Sequence, residues 1–423
     1  MEAGSRVKVQ HKDETLEGVL IPSEDPKFVV VKLDNGYNIG FKKSSVKISK
    51  ISGPVKAMPK GAKKVRGKGP KITILHTGGT IASKVDYKTG AVTSGFEPSE
   101  ILAMFPELAD IATIDSKLVR HMMSEDMRFE HYNLLVKEVE KEVKKGAKGI
   151  IITHGTDTLH YTSAALSFAL ENVPVPVMLV GSQRSSDRPS TDSYVNLVSA
   201  AIFIANTKMN GVFTCMHESM GDDTCLVIHG CKARKMHTSR RDAFRPINMK
   251  PVARVDYEKK KVQVLQNVAS KGTFKATLFN PKLKIGLLKC HTNMFAEEFS
   301  NYKGFDGLVL EIFALGQGPT TARDDITKEH AKIAKEIQGL ASKIPVVAAS
   351  SCIYGRVDMD VYAEGRELQK LGVIGNNLDM TPETAFIKLA WLLSNHKKDV
   401  KSLYMENLRG EITNRTEQDT FLA

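Results

Sequence analysis

Apolar positions change period along the chain. From Arg6 to about residue 50 they alternate. Val7 and Val9 share one side of Arg6–Gln10, Leu16–Ile21 follows, and the Val-rich run Phe28–Leu33 ends on Asp34-Asn35-Gly36 before Asn38–Phe41 begins a return. Two-residue periodicity broken by a tight-turn signal predicts short antiparallel strands. No helical period occurs there. Residues 1–51 are therefore expected to form a small β-barrel, which hides strand edges by closing on itself.

The pattern then breaks. Gly53-Pro54, Pro59, Gly61, Gly67 and Gly69-Pro70 punctuate residues 52–71, and Lys56, Lys60, Lys63, Lys64, Arg66, Lys68 and Lys71 lie there without an acidic residue after Val55. This reads as a basic interdomain linker. From Lys71 onward, apolar runs alternate with helical stretches. Ile72–His76, Gly149–Thr153, Pro176–Val180 and Val212–Met216 read as strands. Between the first two, Phe129, Leu134, Leu135, Val139 and Val143 share one face of a helix over Met127–Lys145. Such alternation predicts a parallel, doubly wound α/β domain over residues 72–281. A second, smaller α/β set occupies residues 282–423, with strands at Ile285–Lys289, Gly307–Ile312 and Pro345–Ala349. Its last long helix starts at Thr381, an N-cap residue type. Pro382 suits the first helical position and Glu383 adds first-turn negative charge.

Composition narrows the class. The chain has 423 residues, 42% of them hydrophobic and 26% charged, as in a water-soluble globular protein. No apolar run approaches membrane-spanning length, and the N-terminus lacks the apolar core of a secretory signal. A cytoplasmic protein without membrane attachment is expected. The five cysteines form no CxxC pair, which argues against a disulfide framework or zinc site; no metal ligands are expected. The net charge of +12 suits an anionic partner such as RNA, or merely a lysine-rich solvated surface.

Chemistry concentrates on two turns, each closing an apolar strand. One is Thr77-Gly78-Gly79-Thr80-Ile81 and the other His154-Gly155-Thr156-Asp157-Thr158. In an open α/β sheet the C-terminal strand edge is where ligands bind, so the two turns predict one site. Glycines let the backbone bend sharply and let substrate approach the main chain. The segment Ser83–Ser94 follows as a polar loop, and Tyr87 on it is placed to act as a lid residue. Asp157 suits either a substrate ammonium group or the start of the following helix. His154 closes an apolar run and reads as a buried structural histidine. A threonine nucleophile needs a base. The stretch Gly230–Thr238 offers Lys232 and Lys235, and residue type alone does not choose between them.

Taken together, TGGTI (77–81), SEDM (124–127), HGTDT (154–158) and RKMHTSRRDAF (234–244), with Leu371–Ile374 and Asp379–Ala385, resemble the L-asparaginase/glutaminase amidohydrolase family over residues 71–423. The resemblance implies Thr80 as nucleophile with Tyr87 on the lid. It implies a relay of Thr156, Asp157 and Lys235, favouring Lys235 over Lys232. Ser124 would bind the substrate α-carboxylate, and Glu125 and Asp157 its α-amino group. Many members carry Gln where this chain has Glu125. Backbone N–H groups at Gly79 and Thr156 would form the oxyanion site.

A free asparaginase needs only residues 71–423. The added β-unit and basic linker resemble the D-subunit family of archaeal glutamyl-tRNA(Gln) amidotransferases. That resemblance implies a glutaminase, dimeric within a heterotetramer, that feeds ammonia from L-glutamine to an E-type tRNA-binding partner. The partner would use ATP, with Mg, on Glu-tRNA(Gln); no cofactor is implied in this chain. The alternatives are a stand-alone L-asparaginase with an accessory β-domain, or an RNA-binding protein with a degenerate hydrolase domain.

Overall fold

The computed structural model describes residues 5–21, 23, 25–33, 38–51, 64–65, 67, 69–79, 83–86, 91–94, 107–184, 191–268 and 270–421. The N-terminal unit is built on β-strands, as its alternating pattern requires, with one 3-10 turn at Lys43–Ser45. Its strands are Arg6–His11 (β1), Glu14–Ile21 (β2), Phe28–Leu33 (β3), Asn38–Lys42 (β4) and Lys47–Lys50 (β5). They pair antiparallel in the order β4-β3-β2-β1-β5. Val7, Val9 and Val31 are fully buried between them and pack with Leu20, Val29 and Phe41.

The end of the basic segment departs from a plain linker. Lys64–Val65 (β6) pairs with Ile114 and Asp115. Gly67 exchanges hydrogen bonds with the Thr113 hydroxyl (3.3 and 2.8 Å). A Cβ on Gly67 would lie 2.1 Å from the Ala112 carbonyl oxygen, so only glycine allows this approach. The basic segment thus finishes as an edge strand of the central sheet.

Among the described residues that sheet has nine strands. After Lys71–Gly78 (β7), the segment expected as a loop carries a hairpin, Ser83–Asp86 (β8) paired with Ala91–Ser94 (β9). Thr113–Met122 (β10) and Gly149–Thr153 (β11) follow. Leu170–Glu171 (β12) belongs to a separate two-stranded pair, and Pro176–Val180 (β13) and Gly211–His217 (β14) continue the main sheet. Strands β14, β13, β11, β7 and β10 are mutually parallel. Beyond them the sheet becomes mixed: Thr224–His229 (β15), then Ala253–Asp256 and Lys261–Val264, are added antiparallel. The parallel strands β11 and β13 are buried at every position, which is why they read as unbroken apolar runs.

Helices Phe129–Lys144, Leu159–Ala169 and Ser193–Asn206 cover the sheet. The first buries Tyr132, Leu135, Val136 and Val139 against it. The C-terminal domain repeats the plan on a smaller scale. Ile285–Lys289, Gly307–Ile312 and Val346–Ser350 form a parallel three-stranded sheet. Helix Pro382–Asn395 starts as expected, with the Thr381 hydroxyl accepting from Thr384 N–H at 3.3 Å. Its apolar face joins a core shared with β11, β13 and helix Leu159–Ala169, so both α/β domains share one buried interior.

Candidate active site

Five parallel strands end on one edge, and the predicted turns sit there because strand direction places them. Gly78 and Gly79 leave β7 with φ of 99° and 74°, a pair of left-handed residues that costs other amino acids dearly. A Cβ on Gly79 would stand 2.3 Å from the Gly155 nitrogen, and one on Gly155 would stand 2.7 Å from the Ser124 Cβ. The three turns after β7, β10 and β11 therefore press against one another with no room for a side chain at either glycine. The Thr77 hydroxyl donates to the Thr153 carbonyl (2.8 Å), and the Thr158 hydroxyl donates to the Ser124 carbonyl (2.6 Å). Gly181, after β13, closes the cluster: a Cβ there would meet the Thr156 methyl at 2.8 Å.

Two histidines brace this edge from below. His154 Nδ1 donates to the Gly155 carbonyl at 2.7 Å, which leaves Nε2 to accept from the Thr162 hydroxyl at 2.9 Å. Burial drives its pKa down to about 4, so the ring is neutral. His76 bridges the hydroxyls of Thr153 and Ser116 (2.9 and 2.7 Å), and burial, with His121 nearby, lowers its pKa to about 3. His154 is a structural brace, as its position at the end of an apolar run implies.

Lys235 enters from elsewhere. It lies on Ala233–Lys235 (β16), a short strand paired with Phe244–Pro246 (β17). Its Nζ donates to Thr156 Oγ1 at 2.8 Å and to Asp157 Oδ1 at 2.7 Å. Lys232 does neither. Its ammonium pairs with Asp379 at 2.8 Å, both side chains 1% exposed, and burial lowers its pKa against the pull of that carboxylate. The geometry thus separates two lysines that residue type left equivalent. The Asp157 carboxylate goes to Lys235 and is otherwise exposed.

Ser124 is buried against Gly155, whereas Glu125 is exposed beside it. The Gly79 N–H donates to the Met122 carbonyl at 3.2 Å. Of the two expected oxyanion donors, the Gly79 N–H thus makes a backbone bond and the Thr156 N–H is the other. Thr80 and Tyr87 lie outside the described residues. Among the described residues no group of three or more His, Cys, Asp or Glu side chains is placed to hold a metal.

Residues 71–270 match the model of the asparaginase N-terminal domain, and 284–403 that of the glutaminase/asparaginase C-terminal domain. Residues 1–51 match the GatD N-terminal domain. Over 419 residues the chain is 41% identical to the D subunit of glutamyl-tRNA(Gln) amidotransferase from Pyrococcus furiosus, covering 96% of this chain and 93% of that protein. The chain belongs to the D-subunit family of glutamyl-tRNA(Gln) amidotransferases. Further members from Archaeoglobus fulgidus (41% identity; 98% and 96% covered) and Methanococcus maripaludis (39%; 97% and 98%) match equally fully. Among solved structures, the thermostable L-asparaginase of Thermococcus kodakarensis superposes with a TM-score of 0.70 at 29% identity, covering 82% of this chain and all of that one. L-asparaginase I of Vibrio cholerae gives 0.69 at 28%, with the same coverage. The family keeps an asparaginase-like body and adds a β-unit in front of it.

Proposed function

We propose that this chain is the glutaminase component of a glutamyl-tRNA(Gln) amidotransferase. One observation carries the reading. A lysine, a threonine hydroxyl and a carboxylate meet within 2.8 Å on a turn packed against Gly79 and Ser124, in a chain similar from end to end to D subunits. In this reading Thr80 attacks the carboxamide carbon of L-glutamine. The C–N bond breaks, ammonia leaves with the proton it gains, and water cleaves the resulting ester to glutamate. Thr156, Lys235 and Asp157 carry the proton between the reacting oxygen and the amide nitrogen. Ser124 holds the substrate α-carboxylate, Glu125 and Asp157 its ammonium group, and Tyr87 closes the lid. The Thr156 N–H supports the oxyanion.

Ammonia then passes to an E-type partner that binds Glu-tRNA(Gln). ATP, with Mg, belongs to that partner; no cofactor is assigned to this chain. A homodimer within a heterotetramer completes the proposal. A free asparaginase explains residues 71–403 but gives no reason for the matched β-unit at residues 1–51. The test measures ammonia release from glutamine and asparagine, alone and with the partner plus Glu-tRNA(Gln). Low activity alone and strong stimulation in the complex are expected, and Thr80→Val abolishes release without unfolding the chain. Equal turnover with and without the complex contradicts the reading.

A further inference from the structure

The strand that carries Lys235 stands outside the main sheet. β16 and β17 form a ribbon of three residues each, seated on the core through buried Ala233 and Phe244, and a two-stranded ribbon depends on such packing for its stability. Yet a proton relay tolerates little error in Nζ position. Displacing a reacting group by about 1 Å costs up to roughly 100-fold in rate. Further fixing contacts come from the C-terminal domain. Side chains alternate along a strand, so Lys235 faces Thr156 while its neighbour Arg234 faces the opposite way. There the guanidinium grips the Glu383 carboxylate through Nε (3.1 Å to both oxygens) and Nη2 (2.7 Å).

Glu383 suits that task. It sits in the first turn of helix Pro382–Asn395 and is 7% exposed. Burial alone would raise its pKa, but the bonds and charge of Arg234 outweigh this and hold it below the usual carboxylate value. The same carboxylate lies 4.0 Å from His160 Nε2, on the helix that follows Thr158. Burial keeps His160 neutral, with a pKa of about 4. Around this fork the C-terminal domain grips the neighbouring backbone too. The Thr384 hydroxyl donates to the Cys231 carbonyl (3.0 Å), Asp379 pairs with Lys232, and Asn248 donates to the Asp379 carbonyl (3.0 Å).

We infer that Arg234 and Glu383 are positioning residues for the relay. Through Glu383 the C-terminal domain sets where Lys235 stands, although it supplies neither Lys235 nor the groups Lys235 touches. The inference rests on the relay role proposed above for Lys235. Replacing Glu383 with Gln keeps the shape of the side chain and removes the charge-assisted fork, so the ribbon loosens while the substrate-binding turns stay in place.

The experiment compares wild type, Glu383→Gln and Ile337→Ala, each assembled with the partner and Glu-tRNA(Gln). Ile337 is buried in a separate C-terminal core and controls for destabilisation alone. In Glu383→Gln, kcat for ammonia release should fall roughly 10- to 100-fold with KM changed less than about twofold. Amide exchange at residues 234–236, where the Met236 N–H is bonded to the Ala243 carbonyl (2.7 Å), should rise above its rise elsewhere. Ile337→Ala should lose stability yet keep kcat within about twofold. Unchanged kcat in Glu383→Gln, or equal kcat losses in both variants, overturns the inference. Absence of ammonia release from wild type would instead overturn the functional reading. The exchange result would then decide the clamp by itself, unchanged exchange at residues 234–236 sinking it.

Discussion

The two α/β domains divide labour unequally. The central domain displays Ser124, Thr156 and Asp157 where strands end, on turns short enough to touch, and brings Lys235 to them from β16. The C-terminal domain shows none of these groups. Its contribution is two carboxylates, Asp379 and Glu383, held at or near the start of one helix and turned inward to Lys232 and Arg234. Neighbouring cations on one short stretch of chain thus have opposite fates. Lys235 remains at the site, and Lys232 is sealed in the interface. A basic residue near an active site is therefore assigned by the carboxylate it meets across the fold, not by its place in the motif.

Exchanging the two lysines' fates tests this most severely. Lys235→Met should lower ammonia release by roughly 10³-fold or more, with little change in unfolding free energy. Lys232→Met should do the reverse. It strands Asp379 without its buried partner, at a cost of about 3–5 kcal/mol, while the fraction that remains folded keeps most of its activity. Denaturant titration beside ammonia assays separates the two outcomes, and similar profiles for both variants would erase the distinction.

A weaker effect comes from the neutral histidines beneath the site. His76 and His154, with pKa values lowered to about 3 and about 4, stay unprotonated in the folded chain when the unfolded chain takes up protons. The stability they contribute is full above pH 6.5 and is lost as pH falls toward those values. The slope is up to roughly 1.4 kcal/mol per pH unit for each ring. Urea unfolding at pH 7 and pH 5 should show this loss, and His154→Gln should flatten it. Least of all should change at the C-terminal helix, where Thr381→Ala removes the cap at a cost of about 1 kcal/mol. Differential scanning calorimetry should find it smaller than the Lys232→Met effect.

Much of the fold is visible in the residue pattern. β11 and β13 appear as apolar runs because both faces are covered. Helix Pro382–Asn395 is marked by its own cap. β10 is harder to see. Thr113–Met122 is buried at only Ile114 and Ser116, so its membership rests on pairing with β7 rather than on composition. The β8–β9 hairpin is hidden for a similar reason: its residues are polar enough to read as a loop. Its pairing from Ser83↔Ser94 to Asp86↔Ala91 appears only when the two arms are brought together.

The candidate site divides along the same line. The two threonine turns and the glycines that permit them are legible residue by residue, because strand ends and left-handed glycines are local requirements. So is the motif order that marks the family. Packing, in contrast, chose which lysine reaches Thr156 and committed the Gly79 N–H to Met122. It also gave Glu383 a second role beyond helix charge. Each of those outcomes depends on a partner tens to more than a hundred residues away. Hydrogen-bond geometry between such partners is set by how strands and domains pack, and no local pattern encodes it.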